Sequence, residues 1–267
     1  MSLPTSAAPD LSPLRCWREG GMAHLRFNRP EALNAIDLGM ARAFRQACQQ
    51  IGADPTVRVV VVSGEGRAFM AGGDLRSMAD DPVAVAAELI AEMHAGIEQL
   101  AGLPAPVIAS VHGAVAGGGL GLALACDLIV AAEGTRFNLA YTRIGTSSDC
   151  GTSWGLPRWV GLRKALEIAL LCEPFDAAEA LRLGLVNRVV PADALADHTL
   201  AMARQIEASA PLALGHLKRL MRQSDQHDLH AQLQSEARAF VACAGSADFA
   251  EGVAAFLARR PAHFSGR

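Results

Sequence analysis

Charge of one sign is what this chain most conspicuously lacks. Lys and Arg number 24 and Asp and Glu 27, giving a net charge of −3 and a pI near 6.2. No basic patch argues for nucleic acid, and no like-charge block argues for a disordered tail. No apolar run reaches the roughly 18 residues that suggest a membrane span. The N-terminus MSLPTSAAPDLSP has no basic segment followed by an apolar one, so it reads as a loose tail rather than a secretory signal. The six cysteines are scattered without a Cys-x-x-Cys pair, which excludes a zinc or disulfide framework and suggests reduced thiols in a cytoplasmic protein. Aromatics are sparse at 5%, with one tyrosine, and say little about the shape of a binding pocket.

What is present is apolar surface and glycine. At 267 residues and 51% hydrophobic, the chain suits one large domain or one domain with a smaller appendage. The stretch 57–64, VRVVVVSG, reads as a strand buried on both faces, and 106–113, PVIASVHG, as another. AHLRFN (23–28) alternates like a strand, and 128–133, 136–139 and 185–190 are further candidates. Asp37 is placed to cap a helix with Met40, Phe44, Cys48 and Ile51 on one face. Helical patterns cover roughly 83–102, 163–171 and 176–184, and everything from about 192 onward. Strands alternating with helices indicate an α/β fold with an all-helical C-terminal part.

Gly117, Gly118, Gly119 and Gly121 interrupt an apolar stretch, although glycine inside a regular element costs about 0.5–1 kcal/mol relative to alanine. A dinucleotide fingerprint is incomplete, because Leu rather than Gly stands at 124, and a P-loop is absent. Close packing is one use for such glycines. The other is a strand-to-helix corner whose free N–H groups face an anion or a developing oxyanion. Ala71, Gly72 and Gly73 form a second corner before Asp74, which can cap a following helix. Two corners after two neighbouring strands could each present one N–H to a single oxygen.

At this point the sequence resembles the enoyl-CoA hydratase/isomerase (crotonase) superfamily. The resemblance rests on NRPEALNAID (28–37), FMAGGDL (69–75), AVAGGGLGLALACDLIVAAEGTRF (114–137), LPRWVG (156–161), AAEALRLGLVNRVV (177–190) and EGVAAFLARRPAHF (251–264), in order and at ordinary spacing. It implies a spiral of ββα units over residues 13–200 after a tail at 1–12, with a helical trimerisation region at 201–267. It implies an acyl-CoA thioester substrate, CoA being part of the substrate rather than a separate cofactor, and a homotrimer or dimer of trimers. It implies an oxyanion hole made by the N–H groups of Gly73 and Gly118. Ala71 then lies against the adenine of CoA and Arg29 near its phosphates, with Ala32, Gly72 and Asp74 in the same binding segment.

The resemblance also locates a departure. Hydratases of the family carry two glutamates, at positions where this chain has Gly121 and Tyr141. A phenol of pKa about 10 is a poor general base. Asp149 lies eight residues beyond Tyr141, where several isomerases and the aromatic-thioester dehalogenases of the superfamily carry a catalytic aspartate. It could otherwise serve only to turn the loop or cap a helix. His94 matches a dehalogenase histidine and is placed in the acyl pocket with Tyr141 and Gly121, or it is a core-facing helix histidine. HDLH (227–230) lacks a third ligand and reads as a solvated helix face rather than a metal site. Asp127 reads as structural. Three readings follow: an enoyl-CoA isomerase using Asp149; a hydratase, hydrolase or dehalogenase-like enzyme; or a catalytically silent CoA-thioester binder.

Overall fold

Val59, Val60, Val61 and Val62 put four β-branched side chains in a row, which suits a strand covered on both sides. In a computed structural model, which describes residues 12–267, they form the core of a strand within a six-stranded sheet. In chain order the strands are β1 (Leu14–Glu19), β2 (Met22–Phe27), β3 (Val59–Gly64), β4 (Val107–Val111), β5 (Ala114–Ala116), β6 (Leu128–Ala132), β7 (Arg136–Asn138), β8 (Phe175–Asp176) and β9 (Arg188–Val190). The large sheet runs β1-β2-β3-β4-β6-β9 and a small one β5-β7-β8. β1 and β2 are antiparallel, and every later pair of the large sheet is parallel.

The valines divide between two cores. Val60 and Val62 face α1 (Leu38–Ala53) and α2 (Pro82–Gly102), while Val59 and Val61 face α6 (Leu195–Glu207) through Leu195 and Ala203. The Asp37 carboxylate accepts the Met40 N–H at 2.8 Å, and Met40, Phe44, Cys48 and Ile51 are buried, as the helical pattern requires.

The chain repeats one move. After β3 it turns so that Met70 bridges to Val115 of β5; after β4 it turns into β5; after β6 it turns into β7, which pairs with β5. Successive turns therefore land side by side, and this brings the two glycine corners together. The second corner runs into α3 (Gly118–Ala125).

Two elements differ from the sequence reading. β1 was not expected; its charged residues disguise an edge strand, where polar side chains can reach water. The helix expected at 163–171 begins at Thr152 as α4 (Thr152–Leu171) and breaks at Gly161, whose φ is 76°. The tail expected at 1–12 lies outside the described residues except for Ser12.

Beyond α5 (Ala177–Arg182) and α6, the C-terminal helices are α7 (Pro211–Gln223), α8 (Leu229–Ala244) and α9 (Ala247–Leu257). Asp127 ties α7 to the sheet. Its carboxylate accepts the Val107 N–H at 2.8 Å and meets Lys218 at 2.8 Å and Arg222 at 2.7 Å. Apolar side chains stay exposed along this region, among them Met221 at 69%, Phe256 at 82% and, on α4, Leu170 at 68%. His227 precedes the Asp228 cap of α8, so the two histidines of HDLH do not share a helix face. Among the described residues, no single helix is long and apolar enough to cross a membrane.

Candidate active site

The first corner is held by a loop with no regular structure of its own. After a short turn at Pro30–Ala32, Leu33 and Asn34 both take left-handed backbone, with φ of 52° and 56°. Asn tolerates that region better than most residues. The Asn34 side chain is fully buried and satisfied: Oδ1 accepts the Arg29 N–H at 2.8 Å, and Nδ2 donates to Glu65 O at 2.9 Å and Ala68 O at 2.8 Å. Ala71 N–H then donates to Leu33 O at 3.1 Å. Ile36 exchanges backbone bonds with both neighbours of Gly73, taking Gly72 O at 2.8 Å and the Asp74 N–H at 2.9 Å. This bridge turns the Gly73 N–H to the opposite side, where no backbone acceptor takes it among the described residues.

Asp74 caps the next turn by accepting the Arg76 N–H at 3.2 Å and meets Arg29 at 3.0 Å. Arg29 also contacts Asp37 at 3.2 Å and donates to Ala35 O. Its guanidinium is therefore occupied in fastening the 28–37 loop to the corner. Ala32 closes the short turn of that loop.

The four glycines of the second corner have different tasks. Gly117 has φ 51° and ψ −123°, a region that side chains exclude, and its N–H donates to Asn138 O at 3.0 Å. A methyl at Gly119 would lie 2.6 Å from Met70 O, and one at Gly121 would lie 2.5 Å from Cys150 O. These two are glycines because backbone passes against them. Gly118 is the first residue of α3, so its N–H has no acceptor within the helix. A Cβ there would meet Ile36 Cδ1 and Cys150 Sγ at 3.1 Å and Asp149 Oδ1 at 3.7 Å. A Cβ at Gly117 would lie 3.5 Å from Gly72 Cα and 3.9 Å from Tyr141 Cζ.

Gly72, Gly118, Tyr141 and Asp149 are thus gathered at one place, with Gly73 beside Gly72. The Tyr141 hydroxyl donates to Asp149 Oδ1. Burial first, and the neighbouring Asp149 charge second, push the phenol well above its usual range, so it stays protonated and acts as a donor. Burial likewise pushes the Cys150 thiol up, which keeps it from being a ready nucleophile.

The helix-capping role open to Asp149 falls to its main chain. Asp149 O accepts the Thr152 N–H at 3.0 Å and the Thr152 hydroxyl at 2.9 Å, leaving the carboxylate to face Tyr141 and Gly118. His94, on α2, accepts the Cys150 N–H through Nε2 at 3.0 Å. It lines a cavity of about 350 Å³ with Ile97, Gly121, Leu124, Cys150 and Trp154. Sequence reasoning missed Asn34, Ile36 and Thr152. The only available signal for Asn34 was an Asn following a Pro-led turn in PEALNAI, a residue type suited to left-handed backbone.

Two unengaged N–H groups and one carboxylate around a small space can hold an oxygen that gains negative charge while a proton moves nearby. Known proteins share this architecture. A family model described as Enoyl-CoA hydratase/isomerase matches residues 18–267. A probable enoyl-CoA hydratase of Rhodobacter capsulatus is 38% identical over 92% of this chain and 95% of its own. The 1,2-epoxyphenylacetyl-CoA isomerase of Escherichia coli is 36% identical over 93% of this chain and 97% of its own. The crystal structure of an enoyl-CoA hydratase from Bacillus anthracis superposes with a TM-score of 0.92 at 30% identity, covering 96% of this chain and all of that one (100%). With both glycine corners built and matched along nearly its whole length, the chain belongs to the enoyl-CoA hydratase/isomerase family, the crotonase superfamily.

Proposed function

We propose that this family enzyme, which acts on a CoA thioester, moves a carbon–carbon double bond along the acyl chain with Asp149 as the proton carrier. The α-proton of a thioester is too weakly acidic to be removed unaided at neutral pH. The N–H groups of Gly73 and Gly118 hold the thioester oxygen as it becomes an enolate oxygen, and losing one such donor costs roughly 3–4 kcal/mol. In a 3-enoyl thioester, Asp149 takes a proton from C2, negative charge spreads to the oxygen and C4, and the same proton is returned at C4. The product is the conjugated 2-enoyl thioester, and Asp149 ends as it began. Tyr141 orients the carboxylate by its hydroxyl bond. CoA runs along Ala32, Ala71 and Gly72 with Asp74, and Arg29 shapes that path through its pairs with Asp37 and Asp74.

One observation carries this reading: the Asp149 carboxylate is released from capping by its own carbonyl and faces the N-terminus of α3. Water activation by two carboxylates has less support. Tyr141 stays protonated, and the Cys150 backbone lies where a side chain at 121 would begin. Dehalogenase-like use of His94 as a base has less support as well, since its Nε2 lone pair is engaged by Cys150 N–H.

The test compares two variants on trans-3-enoyl-CoA. Asp149→Asn keeps size and hydrogen bonding but cannot take a proton, so turnover should fall roughly 10²–10⁴-fold. Tyr141→Phe should lose less, about tenfold. An active Asn variant beside a dead Phe variant would overturn the assignment. Loss of conjugated absorbance from trans-2-enoyl-CoA would identify hydration instead.

For assembly, the exposed apolar side chains of α4, α7 and α9 support a homotrimer or dimer of trimers. Light scattering at micromolar concentration should give a mass three or six times that of the chain, and a monomer would contradict it.

A further inference from the structure

Cys150 is an unusual place for ordinary backbone. It has φ of 50° without being glycine, and it immediately follows the carboxylate that carries the proposed chemistry. Such a conformation persists only when its surroundings fix it. Downstream, Thr152 holds Asp149 O through both its N–H and its hydroxyl. Upstream, Thr142–Ser147 is exposed and offers little support. Tyr141 holds the carboxylate through its hydroxyl, and the Cys150 peptide has an anchor from a different element: its N–H donates to His94 Nε2 at 3.0 Å.

We propose that His94 is a positioning residue for Asp149, holding the left-handed Cys150 peptide by accepting its N–H, and that it releases this peptide when protonated. A neutral imidazole has one acceptor nitrogen, whereas a protonated ring has two donors and none. The protonated ring cannot take the Cys150 N–H, so the buried peptide loses its acceptor and the segment holding the carboxylate loosens. His94 lines the 350 Å³ cavity, which gives the ring a wall open to a proton. The titratable and charged groups around it are Glu98 on its own helix, Asp149 and Cys150 on the held segment, and Arg222 from α7. Arg222 is already paired with Asp127. The faces of α3 and α4 lining this cavity contribute Gly121, Leu124, Ala125, Trp154 and Gly155, none of which titrates.

This inference rests on the reading of Asp149 as proton carrier, so its test includes a measurement that does not depend on catalysis. His94→Leu removes the acceptor and should lower kcat on trans-3-enoyl-CoA about tenfold or more, in line with leaving a buried N–H unpaired, with KM little changed. His94→Gln offers an amide oxygen near the Nε2 position that does not titrate. It should restore most of kcat, and its kcat should fall less on acidification than that of the unsubstituted enzyme. In parallel, the exchange protection of the 149–152 amides, taken relative to the intrinsic rate at each pH, should fall in the Leu variant at neutral pH and in the unsubstituted enzyme on acidification, but not in the Gln variant. Unchanged exchange in the Leu variant would overturn the inference whatever the activity. Equal loss of kcat in the Leu and Gln variants with unchanged exchange would also overturn it, pointing to direct chemistry by the ring. Full activity of Asp149→Asn with the exchange pattern as expected would overturn only the reading beneath it.

Discussion

The two glycine corners present the same group, a single N–H, and reach it by opposite means. The first, around Gly73, is a stretch of backbone clamped from outside by Ile36, Asn34 and the Arg29 pairs. The second, at Gly118, is the start of a helix, whose N–H is unpaired by geometry and whose macrodipole adds positive charge. At the first corner the neighbours do the positioning, and Gly73 faces only the flexible end of Met78, while Gly72, at φ 102°, has Ala116 O 3.3 Å from where a methyl would stand. At the second the backbone does it, Gly117 is held at φ 51°, and Gly119 and Gly121 have no space for a methyl. Gly73 should therefore tolerate a side chain far better than Gly119 or Gly121.

Proline at 118 is the sharpest way to break this contrast. Gly118 is the first helical residue, where proline's φ suits the helix, so the change removes the N–H, although its ring also crowds Ile36 and Cys150 and makes this a harsh test. Rates with any thioester substrate should fall at least 10²-fold, the scale of a lost oxyanion donor. A soluble, assembled variant at full activity would remove Gly118 from the hole. Next comes Gly119→Ala. Its methyl would lie 2.6 Å from a buried carbonyl oxygen that cannot swing away, and stability should drop by about 2 kcal/mol or more in denaturant titrations. An unchanged midpoint would show that α3 slides freely over Met70. Smallest is Gly73→Ala. The new methyl meets only Met78 Cε at 3.2 Å, the flexible end of a side chain, and the N–H remains. Stability and turnover should stay within about threefold; a 10²-fold loss of rate would mean that the α-carbon, not just the N–H, borders the substrate.

Much of this is legible in the sequence, for local reasons. The valine run announces a doubly covered strand, Asp37 announces a helix start, and glycines beside an Asp announce tight corners. The position of Asp149 was readable through resemblance and spacing. Its freedom was not, because that depends on whether its carbonyl or its carboxylate caps α4, and both are consistent with SSDCGT. Arg29 shows the same limit. A lone arginine in the CoA-binding segment looks available for phosphate, and only three-dimensional proximity reveals Asp37 and Asp74 on either side of it. In the glycine stretch the resemblance singles out Gly118 and Gly121, whereas the packing partners of Gly117, Gly119 and Gly121, namely Asn138, Met70 and Cys150, come from different parts of the chain.

The contact at Gly121 has a consequence for how such a site can change. Position 121 is where a second carboxylate would stand in a two-glutamate arrangement, yet the segment that carries Asp149 lies 2.5 Å from where that side chain would start. The two designs compete for one volume. Interconverting them is not a matter of exchanging one residue for another, since a glutamate at 121 has first to evict residues 150–152 and, with them, the aspartate next door.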